Sequence, residues 1–230
     1  MIWLVSLHCV AFELSWDEKM RRLIVLIFLF GLQQNVFSYK WKIEFLPGIT
    51  YAFPMPLSIS QKGFSDISLT AKYKTRDYEL PIYYSFRLGV GVENKFWEVE
   101  LNHLKLYLDN KPAEVQHFGI SHGYNQIFIN RMIEYRRFDL RIGIGGVLTH
   151  PETTVRNKEY TTAGLGYHFN GICSQVAIQK RLNFTKYSSV NFEGKLTAGY
   201  AKIPISDGHA DVPSIVIHLL IGLEGHWEMF

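Results

Sequence analysis

The segment from Ile82 to Val92, IYYSFRLGVGV, places Ile82, Tyr84, Phe86, Leu88 and Val90 on one face and Tyr83, Ser85, Arg87, Gly89 and Gly91 on the other. A period of two sustained over ten residues is a β-strand with two unlike faces. The pattern recurs. Leu140, Ile142 and Ile144 alternate with Arg141, Gly143 and Gly145, and Val190, Phe192, Leu196, Ala198 and Tyr200 alternate with Asn191, Glu193, Lys195, Thr197 and Gly199. In the last segment Ile215, Ile217, Leu219, Ile221, Leu223 and Trp227 stand against His218, Gly222, Glu224 and His226.

A soluble sandwich also alternates, but its polar face is a solvated surface rich in Lys, Glu and Thr. Here the polar face mixes Gly with Arg, Glu and His, which suits the crowded interior of a small closed barrel where charges must pair. Arg87, Arg141 and Lys195 then face Glu98, Glu100, Glu193 and Glu224 across a lumen, with His218 in the same network, because unpaired buried charge costs several kcal/mol. The apolar face meets lipid. Eight segments follow, at 65–75, 80–92, 96–108, 117–135, 139–149, 163–182, 187–204 and 212–227, an even number whose two ends lie on one side. Residues 39–64, with Pro47, Pro54 and Pro56, are expected to form a lead-in or plug ahead of a barrel at 65–230; WKIEFLPGITYAF is itself β-like and leaves ten strands open.

The start of the chain bears on location. Arg21-Arg22, an apolar run and the small Ser38 have the form of a secretory signal peptide over 20–38, too short to span a bilayer. Residues 1–19 are then expected to be an overlong gene start. Removing 1–38 leaves the net charge at +3, too mild to imply nucleic acid. Cys173 is then a lone thiol with no partner for a disulfide.

Signal peptide, alternating strands and terminal Phe230 together resemble the small outer-membrane β-barrels of Gram-negative bacteria. The resemblance implies an all-β fold, a closed antiparallel transmembrane barrel in the bacterial outer membrane. It further implies contact with outer-membrane lipids and lipopolysaccharide, and reading of Phe230 by the barrel assembly machinery. Eight strands leave an interior that side chains fill, which excludes a large-pore porin.

One stretch breaks the pattern. In FWEVELNHLKLYLD the apolar positions are Trp97, Val99 and Leu101, then Leu104, Leu106 and Leu108. The next segment changes likewise: Phe118 and Ile120 have one parity, Ile127 and Ile129 the other, with Gly123 between them. Paired bulges at one height are the expectation, since bulges gather at barrel rims and re-aim side chains. Pairing 96–108 with 117–135 about a loop at Pro112-Ala113 sets His103 opposite His122. The next turn, at Arg136-Arg137, brings His150 opposite Gly123 or Tyr124, so three histidines converge at the outer rim.

Three readings of that cluster stand side by side. The plainest is a polar rim that hydrogen-bonds lipopolysaccharide headgroups and water. A second is catalytic: Ser121 as nucleophile, His103, His122 or His150 as base, and Glu152 or Glu100 orienting that base. This resembles outer-membrane lipid A deacylases and palmitoyltransferases, although the deacylase pattern of His and Ser two residues apart is absent at SHG. Strand alternation also opposes direct pairing of Ser121 with His122, so His103 or His150 would serve as base unless the bulge intervenes. The third is a metal held by His103, His122, His150 and Glu152, a donor set that suits zinc. No cofactor is otherwise implied.

Overall fold

The alternating segments become strands whose two faces settle into different surroundings. The computed structural model describes residues 38–136, 138–161 and 166–229, which form thirteen strands. They are β1 (Tyr39–Ala52), β2 (Met55–Gln61), β3 (Ile67–Ala71), β4 (Tyr73–Lys74), β5 (Tyr84–Val92), β6 (Lys95–His103) and β7 (Leu106–Leu108). Then follow β8 (Val115–Tyr135), β9 (Phe138–Val155), β10 (Lys158–Thr161), β11 (His168–Asn183), β12 (Ser188–Ile205) and β13 (Gly208–Met229).

Eight of these close on themselves. The order β1-β5-β6-β8-β9-β11-β12-β13 is antiparallel throughout, and β13 returns to β1 from Tyr39↔Met229 to Ala52↔Val216. The strand expected at 65–75 is not in the ring; Ile67–Ala71 pairs with β2, and Tyr73-Lys74 with β7. Its place is taken by Tyr39–Ala52, so the expected lead-in at 39–64 is corrected to a ring strand followed by β2. The prolines decide this locally. Pro47 sits where the β1–β5 ladder ends, and Pro54 lies just beyond β1, so neither removes a donor inside the ladder. The expected gene start at 1–19, the expected signal peptide at 20–38 except its last residue Ser38, and the terminal Phe230 lie outside the described residues.

Tyr39 at the start of β1, Met229 at the end of β13, and the short turns after β5, β8 and β11 lie at one end of the ring. At the other end the strands run on into a cap. The β12–β13 hairpin stays paired to Ile205↔Gly208, β2 adds to the start of β13, and β9 continues to Val155, where it meets both β8 and β10.

The cap and the ring have opposite faces. Around the ring the outward residues are apolar and exposed, among them Val99 at 58%, Ile129 at 60%, Ile142 at 61% and Leu219 at 58%, while the inward ones are charged. In the cap the interior is a hydrophobic core that includes Leu57, Ile59, Leu104, Leu106, Phe118, Ile120, Ile203 and Val212. Outward cap residues such as Gln116, His117 and Lys202 are polar and exposed. The first arrangement suits a bilayer and the second suits water. On β12 the apolar outer row runs from Val190 to Tyr200, roughly 33 Å of strand at about 3.3 Å per residue. At the ~40° tilt of such barrels that spans about 25 Å of membrane.

This inversion explains the break in FWEVELNHLKLYLD, and it corrects the expected paired bulges. Glu98, Glu100, Asn102, Leu104, Leu106 and Leu108 are all buried, so even-numbered residues face inward on both sides of the break. The strand does not swap faces; its surroundings do. The irregularity that matters here is in β8, where Ser121, His122 and Gly123 stand opposite the single residue His150 between the pairs Ile120↔Pro151 and Tyr124↔Thr149. The register is also three residues from the expected one, with Asn102 opposite Gln126, so His103 falls beside Asn125 and not His122.

Candidate functional site

Two polar assemblies emerge from this architecture, one inside the ring and one on its outer wall. Inside, each strand contributes residues of its inward parity, and opposite charges meet across the lumen. Arg87 contacts three carboxylates: Nη1 donates to Glu44 at 2.6 Å, Nε to Glu100 at 3.0 Å and Nη2 to Glu193 at 3.0 Å. Arg141 spans Glu98 at 2.5 Å and Glu193 at 2.6 Å, and donates to Gln179 at 3.1 Å. Lys195 is hydrogen-bonded to Glu100 and lies 3.3 Å from Glu193. Buried carboxylates without such partners would be untenable.

Above this layer Tyr83 donates to Asn102 at 2.9 Å and lies 2.7 Å from Nδ1 of His218, whose Nε2 is 2.9 Å from Thr197. A tyrosine has one proton, so Nδ1 of His218 donates to Tyr83 and Nε2 accepts from Thr197. Below, Arg181 joins Glu134 at 3.0 Å, Asp139 at 2.5 Å and Glu224 at 3.2 Å. Glu224 therefore belongs to the network at the turn end. Glu44 is not legible in the sequence as a lumen residue because the prolines of 39–64 mark that segment as irregular, while its pairing places it in a ring strand. Gln175, Gln179 and Asn130 are not legible there either because neutral amides carry no charge pattern, although Gln175 donates to Glu100 at 2.7 Å.

The outer-wall cluster is built by the irregularity in β8. Two extra residues, with Gly123 at φ 128°, turn His122 to the outside, where its side chain is 58% exposed. Without them an even-numbered residue would point inward. A Cβ at Gly123 would lie 2.2 Å from Oδ1 of Asn125, so both the backbone angle and the space require glycine. Nδ1 of His122 lies 3.1 Å from Ser121 Oγ and 3.2 Å from Glu152 Oε1. Nε2 of His150 is 3.9 Å from the same oxygen, and the two imidazole centroids are 4.9 Å apart. Tyr167 covers His150 at 5.4 Å.

His103 stands apart: it bonds Asn125 at 2.6 Å and stacks on Tyr84 at 5.4 Å. Lys105 donates to the Glu79 carbonyl at 2.7 Å, and Asn102 faces the interior. Beside Ser121, burial raises the Tyr107 phenol above its ordinary range, with the Arg76 cation working in the opposite direction. Ser121 and His122 meet because the irregular backbone intervenes, the condition under which strict alternation no longer separates them. Ser121 and Glu152 nevertheless meet the same nitrogen of His122. A nucleophile relay needs them on opposite ring nitrogens.

An apolar groove of about 830 Å³ opens on the lipid-facing wall among Ile127, Ile129, Ile144, Phe169, Ile172 and Tyr200. The Phe169 ring lies where a Cβ on Gly146 would be, at 2.1 Å, which lets it pack flat on β9. Gly146, Leu148 and His150 are successive outward positions, so the groove ends about 13 Å of strand below His150 at ~3.3 Å per residue.

A closed, eight-stranded antiparallel ring with an apolar outer belt and a filled, charged interior is the fold of a small outer-membrane β-barrel. Solved structures similar to this chain include Ail, the attachment invasion locus protein of Yersinia pestis, at 8% identity over 83% of this chain and 99% of that one, TM-score 0.36. Neisserial surface protein A is similar at 8% identity, over 81% and 96%, TM-score 0.38. The outer membrane protease OmpT from Escherichia coli is similar at 9% identity, over 83% and 94%, TM-score 0.32. No protein-family model matches the chain, and no curated protein sequence does.

Proposed function

We propose that the protein is an outer-membrane barrel with a closed lumen that acts through its outer wall and cap, where it meets lipopolysaccharide and other outer-leaflet lipids. The observation that carries this reading is the convergence of Arg87, Arg141 and Lys195 on Glu44, Glu98, Glu100 and Glu193, roofed by the apolar cap core. Ion pairs fill the cross-section, and a solute would have to separate them. The polar residues at the outer boundary remain open to ligands.

A second reading, modification of lipid A acyl groups by Ser121 with His122 and Glu152, is favoured by the apolar groove below the cluster, which offers an acyl chain a resting place. It requires His122 to turn until Ser121 and Glu152 occupy opposite nitrogens. Reconstitution into lipopolysaccharide-containing bilayers tests both. The closed barrel is expected to give no porin-sized current steps and to leave lipid A mass unchanged. Stepwise conductance would overturn the closed lumen, and acyl loss or gain abolished by Ser121→Ala would establish the enzyme.

A further inference from the structure

We infer that His122, His150 and Glu152 form a binding site for a zinc-class divalent cation on the outer wall of the barrel. One ligand atom from each of the three lies within 4.8 Å of the others. Ligands of a tetrahedral zinc ion sit about 3.4 Å apart at metal–ligand distances of 2.0–2.1 Å. Side-chain rotations on the order of 1 Å therefore close the set, and His122 is free to make them because it is largely exposed.

The second observation is the state of His150. It is 6% exposed, its Nε2 approaches Glu152 only to 3.9 Å, beyond hydrogen-bond length, and its Nδ1 has no hydrogen-bond partner among the described residues. Nε2 of His150 and Nδ1 of His122 are both aimed at one oxygen of Glu152, so a cation placed among the three takes Nε2 of His150 as a ligand in place of that long approach. Two nitrogens and one carboxylate are a borderline donor set that favours zinc over magnesium or calcium, and they leave a fourth position open toward the outside. His103, the fourth ligand that the sequence suggests, is held by Asn125 and is not part of the site.

The backbone irregularity fits this role. Its two extra residues carry His122 from the interior face to a position over His150 and Glu152, which are already neighbours in outward parity on β9. A polar rim that only met water would not need that displacement.

The test uses the untagged chain in detergent, stripped with chelator and titrated with Zn²⁺, and with Co²⁺ for its visible absorption. About one zinc per chain is expected. His122→Asn and Glu152→Gln should each weaken binding by at least about a hundredfold, since even residues that only support ligands cost 10–100-fold. Both sites are partly exposed, so both variants should keep the wild-type β circular dichroism. His103→Gln and His117→Gln should bind as wild type does. Absence of stoichiometric zinc, or binding unchanged in both His122→Asn and Glu152→Gln, would overturn the proposal.

Discussion

Arg87→Met is expected to lower the free energy of unfolding by about 3–5 kcal/mol, the largest effect of any single interior substitution, because it leaves buried carboxylates uncompensated. Glu44, Glu100 and Glu193 each lose their shortest or second-shortest cationic contact, and Arg141 and Lys195 reach only some of their oxygens. The double variant Arg87→Met with Glu44→Gln should recover part of that loss, since removing one of the stranded charges removes part of the penalty. Urea unfolding in micelles, followed by circular dichroism, measures both. A loss below about 1 kcal/mol for Arg87→Met would mean that the lumen is hydrated enough to screen the pairs.

Ile142→Arg is expected to cost about 2–4 kcal/mol when the barrel is folded into a bilayer, because Ile142 is 61% exposed on the outer face at mid-belt. An arginine at an outward cap position should behave differently. Lys202→Arg and Gln116→Arg stay in water and should change stability by less than about 0.5 kcal/mol. The inward cap gives the mirror result: Leu106→Arg places a charge in the apolar core and is expected to be as damaging as Ile142→Arg. Reversible folding into vesicles, with the variants ranked by midpoint, checks the order.

Much of the barrel is legible in the sequence because period-two alternation and unpaired charge are both strong constraints. Seven of the eight expected strand segments lie in the ring, and Arg87, Arg141, Lys195, Glu98, Glu100, Glu193, His218 and Glu224 all face inward. The eighth strand is not legible because Pro47, Pro54 and Pro56 suggest an irregular segment, and only the pairing partners reveal that Pro47 and Pro54 fall at or beyond the ladder ends of β1. The step at Asn102 was visible but ambiguous. A swap of strand face and a swap of solvent give the same string of residues, and only the burial of Leu104 and Leu106 alongside Glu98 and Glu100 separates them. Convergence of His122 with His150 followed from the turn at Arg136-Arg137. The exclusion of His103 does not, because the connection from β6 to β8 carries the short strand β7, whose pairing with β8 sets that register.

The account depends on one boundary, where a wall that is apolar outside becomes a wall that is apolar inside. Nitroxide labels on outward positions of β6, β7 and β12 test it directly: Val99 and Leu196 below the boundary, Tyr107 and Lys202 above it. In vesicles, labels at 99 and 196 should relax with lipid-soluble oxygen, and labels at 107 and 202 with a water-soluble nickel complex. Oxygen-dominated relaxation at all four positions would contradict the inversion, as would nickel-dominated relaxation at 99 and 196.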